Sequence, residues 1–110
     1  MKDKVLGSFY LKRTATGNLL GEYTNNELPY ICTESADFLK GGKFPFEGLY
    51  TSTWREIEGS VICQLDIKIK EDTNNLKYRL LWKAVESEAV FEGQGFVVDG
   101  ILVGNYWGTK

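Results

Sequence analysis

Apolar and polar residues alternate with a period of two over most of this chain. The clearest stretch runs from Phe44 to Lys70. In its first half Phe46, Gly48, Tyr50, Ser52 and Trp54 share one face, while Glu47, Leu49, Thr51, Thr53 and Arg55 share the other. Successive side chains of a strand point to opposite sides, so this parity gathers the rings on one side. In its second half Val61, Cys63, Leu65, Ile67 and Ile69 alternate with Ile62, Gln64, Asp66, Lys68 and Lys70, an apolar face and a polar one broken only by Ile62. Glu58-Gly59-Ser60 supplies a turn in which Gly59 is free to take positive φ. The pattern predicts a long hairpin with the rest of the chain laid beside it.

The remaining segments read the same way. Val5 to Ala15 predicts a first strand, Thr16-Gly17-Asn18 a turn, and Leu19 to Asn25 a second strand with Leu19, Gly21, Tyr23 and Asn25 on one face. Leu28 to Thr33 reads as a short edge strand, a position that tolerates Pro29, which has no N–H for a ladder. Glu34 to Lys40 predicts at most one short helical turn, with Ser35 as cap and Gly41-Gly42 as stop. Beyond the hairpin, Glu71 to Asn75 is a polar turn. Leu76 to Val85 is a strand with Leu76, Tyr78, Leu80, Trp82 and Ala84 on one face. After Glu86-Ser87-Glu88, Ala89 to Val98 carries Phe91, Gly93, Gly95 and Val97 on one face. Asp99-Gly100 is a two-residue hairpin signal, and Ile101 to Trp107 is the last strand. The parity of that strand is ambiguous, because Tyr106 and Trp107 are both large.

About eight strands joined by short turns in a single open sheet would leave two edges and one wet face. Closing the sheet removes the edges, so the expected fold is all-β: one domain over residues 1–110, an antiparallel up-and-down barrel. Eight strands enclose room for packed side chains or for one small ligand.

Composition narrows the chemistry. With 110 residues, 43% hydrophobic and 14% aromatic, the chain can fill the core of one domain. A net charge of −2 argues against nucleic acid, whose phosphates reward a basic face. Histidine is absent and the two cysteines are far apart, so neither a zinc site nor any other cofactor is expected. There is no apolar run of signal-peptide or membrane-span length, which predicts a cytoplasmic protein without a membrane partner. In that reducing setting Cys32 and Cys63 are expected as thiols, with Cys63 a small core residue.

Several short motifs resemble the calycin group, and within it the avidin–streptavidin barrel. Gly17-Asn18-Leu19-Leu20-Gly21-Glu22-Tyr23-Thr24-Asn25 resembles that family's third strand, with its G-x-Y and following small polar residue. Phe46-Glu47-Gly48-Leu49-Tyr50 is similar to its next strand. Leu80-Leu81-Trp82-Lys83 is similar to the strand bearing a ligand-wall tryptophan, and Phe91-Glu92-Gly93-Gln94 to a W-S-G-Q pattern with Phe for the tryptophan. A looser similarity is to short bacterial lipocalin-like repeats with a G-x-Y-x-x-x-W strand. The resemblance covers about two thirds of the chain, in the same order, and implies a ligand-binding barrel in which Tyr23, Asn25, Trp82 and Phe91 line the pocket. It departs from the family where biotin is held: Phe9 to Thr14 lacks the Asn, Leu and Ser of the ureido site, and the last strand lacks the family's Asp.

The expected ligand wall is Tyr23, Tyr50, Trp54, Trp82 and Phe91, with Asn25 and Ser52 as the polar groups that orient a ligand. The same rings would equally fill an ordinary barrel core. Material for catalysis is thin: there is no triad histidine, no G-x-S-x-G, and the carboxylate pairs Glu56/Glu58 and Glu86/Glu88 flank turns. The two readings carried forward are a binder of a small hydrophobic or aromatic ligand at the barrel mouth, and a protein-interaction or inhibitor (immunity-type) module. The second would use Leu49, Ile62, Leu81 and Phe96 on the outer face. Assembly as a homo-oligomer stays open.

Overall fold

The computed structural model describes residues 5–56, 59–70 and 77–109. It is a closed antiparallel barrel of eight strands in sequence order, and the last strand pairs with the first. The strands are β1 (Leu6–Arg13), β2 (Leu19–Asn25), β3 (Cys32–Gly41), β4 (Gly48–Glu56), β5 (Gly59–Lys70), β6 (Lys77–Ala84), β7 (Val90–Val98) and β8 (Ile101–Gly108). The all-β barrel expected from period-two alternation is therefore the fold, and no helix occurs among the described residues. The turn at Glu58-Gly59-Ser60 falls partly, and that at 71–75 wholly, outside the described residues.

Two local expectations are corrected in β3. Residues 34–40 form a strand, not a helical turn, and Leu28 to Ile31 is loop, not an edge strand. The barrel needs this strand for closure: Leu19 pairs with Ala36 on one side and Ser52 with Ala36 on the other. Once both ladders are satisfied, local preference for a helical turn is overridden. The Asp99-Gly100 turn takes φ of 51° and 78°, the positive pair that suits the twist between β7 and β8. The parity of β8 is resolved with Leu102 and Tyr106 buried; Trp107 lies on the outer face, where its Nε1 donates to Glu92 Oε2 at 3.4 Å.

The two ends of the barrel differ. At one end the β3–β4 connection folds across the opening as a plug. Phe46 is buried there, with its ring 6.1 Å from that of Tyr78. The Tyr50 hydroxyl donates to the Phe46 carbonyl at 2.9 Å and the Tyr78 hydroxyl to the Pro45 carbonyl at 2.8 Å. The Glu47 carboxylate accepts from the backbone N–H groups of Lys43 at 2.9 Å and of Ile69, in β5, at 3.0 Å. Above the plug, Leu11, Leu19, Leu65, Ile67, Leu80 and Leu102 fill the interior.

Candidate functional site

The opposite end is open. It holds a cavity of about 700 Å³ whose lining includes Phe9, Tyr23, Asn25, Glu34, Trp54, Trp82, Phe91 and Tyr106 from seven strands, with Glu27, Leu28 and Tyr30 of the β2–β3 loop at the rim. Its size falls in the range of about 300–1,000 Å³ usual for small-molecule sites.

Four of the rings close a circuit around this space. Tyr23 meets Trp54 at 6.0 Å, Trp54 meets Phe91 at 6.0 Å, Phe91 meets Tyr106 at 6.1 Å, and Tyr106 returns to Tyr23 at 6.2 Å, each edge to face. Deeper, Phe9 packs edge-on against Trp82 at 5.6 Å. Small residues make room for these rings. A Cβ on Gly7 would lie 2.4 Å from Tyr106 Cε1, and one on Gly93 would lie 2.9 Å from Trp82 Cζ3. The Asn25 side chain is engaged at the rim: Nδ2 donates to the Tyr106 hydroxyl at 2.9 Å, and Oδ1 accepts from the Glu27 N–H at 2.8 Å.

The floor of the cavity is polar at one point. Glu34 is 6% exposed, and its Oε2 accepts from the Ser52 hydroxyl and, at 2.8 Å, from Trp82 Nε1. Burial pushes the Glu34 carboxyl above its ordinary range, while the Ser52 and Trp82 donors pull the other way. Glu34 is an acidic residue in a segment whose sequence reads as a short helical turn, so sequence alone hides it. The only available signal was parity, since Glu34 shares a face with Ala36.

The structure gathers Tyr23, Asn25, Trp54, Trp82 and Phe91 at the open end. Tyr50 lies at the plugged end, and Ser52 is fully buried beneath the cavity, reaching it only through Glu34. Phe9, Glu34 and Tyr106 join the lining without having been expected there. Cys32 lines the cavity half-buried, Cys63 is fully buried, and no disulfide joins them. Among the described residues no cluster of three metal-ligand side chains forms. Glu86 and Glu88 are exposed in the β6–β7 connection, while Glu58 lies outside the described residues.

The outer apolar residues are not contiguous. Leu49 and Leu81 flank Asp66 across β4, β5 and β6, whereas Ile62 pairs with Thr53 and Phe96 with Val103.

Fold and site together define an up-and-down β-barrel, plugged at one end and open, ring-lined and acidic-floored at the other. No family model matches the chain, and neither a curated protein nor a solved structure matches it.

Proposed function

We propose that this protein binds a small, largely apolar or aromatic molecule in the open end of its barrel, in the manner of calycin-type ligand barrels. The observation that carries this reading is the asymmetry of the interior: aliphatic packing fills one end, while about 700 Å³ bounded by rings stays open at the other. Apolar walls with a few placed polar groups are what such sites require, and Glu34 and Asn25 are those groups here. The lack of a ureido-binding set in β1 and β8 directs the proposal away from biotin. The two thiols support residence in a reducing compartment.

The test is fluorescence titration with the neutral apolar probe N-phenyl-1-naphthylamine. Trp54 and Trp82 sit in the lining, so saturable binding should change their emission and raise the melting temperature. Trp82→Leu should abolish the response with the strand circular dichroism retained. Absence of saturable binding by the folded protein would sink the proposal. The outer-face interaction module would then lead, although its four apolar residues are scattered over separate strand pairs.

A further inference from the structure

We infer that the preferred ligand is an organic cation, a primary or secondary ammonium on an apolar or aromatic body, whose N–H groups seat on Glu34 Oε1 inside the ring circuit. This deepens the ligand-barrel proposal and rests on it.

The first support is the geometry of Glu34. Both of its donors, Ser52 and Trp82, bond to Oε2. Oε1 accepts no hydrogen bond from any described residue, yet among the described residues no fully enclosed side-chain oxygen or nitrogen lacks a partner. Oε1 is therefore not fully enclosed, and we place it toward the ring-lined cavity that Glu34 lines. A carboxylate this far from bulk water is costly to ionise unless a positive charge or further donors face it. A ligand ammonium supplies both at the one open acceptor position.

The second support is the wall. Tyr23, Trp54, Phe91 and Tyr106 surround the same space in a closed circuit of edge contacts. Ring faces carry negative potential and hold cations within roughly 6 Å of their centroids. Acidic groups outnumber basic ones among the described lining residues, with Glu27 and Glu34 against Arg55. Arg55, exposed on β4, is the one cationic lining residue described. Among the described residues no cation bonds to Glu34, whose partners are Ser52 and Trp82, so an anionic ligand would meet a carboxylate there and not a positive charge.

The experiment is calorimetric titration of the intact protein with 2-phenylethylammonium, with 2-phenylethanol as the neutral isostere and 3-phenylpropanoate as the anion. The ammonium is expected to bind at least about tenfold more tightly than the alcohol, the scale of one charge-assisted bond in a dry site. Glu34→Gln keeps an oxygen for Ser52 and Trp82 and should erase that preference.

A second measurement does not depend on a Glu34 variant folding. Ammonium affinity should rise with pH as Glu34 ionises, above the ordinary carboxyl range because burial raises it, and then level off. The other groups facing the site are Tyr23 from β2, Arg55 from β4, Tyr106 from β8, Cys32 beside Glu34 on β3, and Glu27 in the loop. Glu22 of β2 is directed to the outer surface, where it takes the Tyr10 hydroxyl. Glu27→Gln should leave the pH profile unchanged, which assigns the profile to Glu34.

Equal binding of ammonium and alcohol, tighter binding of the carboxylate, or a flat pH profile would overturn the cation inference. If N-phenyl-1-naphthylamine still binds, the ligand barrel survives that result. Failure of this neutral probe and all three titrants would overturn both.

Discussion

Trp82 Nε1 donates to Glu34 Oε2 at 2.8 Å, linking β6 to β3 through the barrel interior rather than through the sheet. The bond makes the indole both a wall of the cavity and a structural partner of the buried carboxylate at its floor. Glu34→Ala should leave the Trp82 and Ser52 donors unmet and destabilise the protein by about 1–3 kcal/mol. Glu34→Gln should be far milder, and at neutral pH should raise the melting temperature, because it removes a charge that burial disfavours. Chemical denaturation of both variants checks the contrast.

Stability should vary with pH in two opposed limbs. The Glu34 carboxyl is raised above 4.5, so its contribution is full below that value and is lost as pH rises through its folded value. The Glu47 carboxyl is lowered below 4.5, first by the Ile69 N–H, so its contribution is present above that value and is lost as pH falls through its folded value. Glu47 is only half-buried, which makes the acid limb shallow. Glu34→Gln should remove the decline on the alkaline side, and Glu47→Gln the acid one. Melting temperatures measured across pH would refute this if either variant kept both limbs.

Gly93→Ala should cost about 1–3 kcal/mol by overpacking, since the new Cβ would sit 2.9 Å from the Trp82 ring and 3.0 Å from the Asn105 carbonyl. The displaced indole should also lose part of its ligand response. Urea denaturation and fluorescence titration of the same sample test both effects.

Thiol labelling should proceed in two stages. Cys32, half-buried at the cavity, should react in the native protein and be slowed by bound ligand, whereas Cys63, with no exposed surface, should react only on unfolding. Two thiols should be counted in denaturant without reductant. A count of zero would contradict the unbridged pair.

The hairpins were legible in the sequence because each has one face of large apolar residues: Cys63, Leu65 and Ile67 in β5, and Tyr78, Leu80 and Trp82 in β6. β3 was not, because its buried positions are Glu34 and Ala36, which give period-two reasoning no apolar signal. Alternation fixes the face of a side chain but not its height along the barrel. Tyr50 and Trp54 share a face yet stand four residues apart, about 13 Å along a strand, so one belongs to the plug and the other to the mouth. Phe9 and Tyr106 were missed for a related reason. Which strand ends converge on the open mouth depends on register and closure, neither of which one strand's pattern contains.

Closure also sets the order in which this molecule can assemble. Seven of its ladders join strands adjacent in sequence, and the eighth pairs Leu6 with Trp107 across nearly the whole chain. The entropy of bringing such distant segments together is spent before their contacts repay it, so the β1–β8 seam is expected to zip last. Until then the meander exposes two bare edges, each complementary to the opposite edge of another copy. At high concentration during refolding, strand exchange between copies competes with self-closure, and the seam is where a monomer is decided.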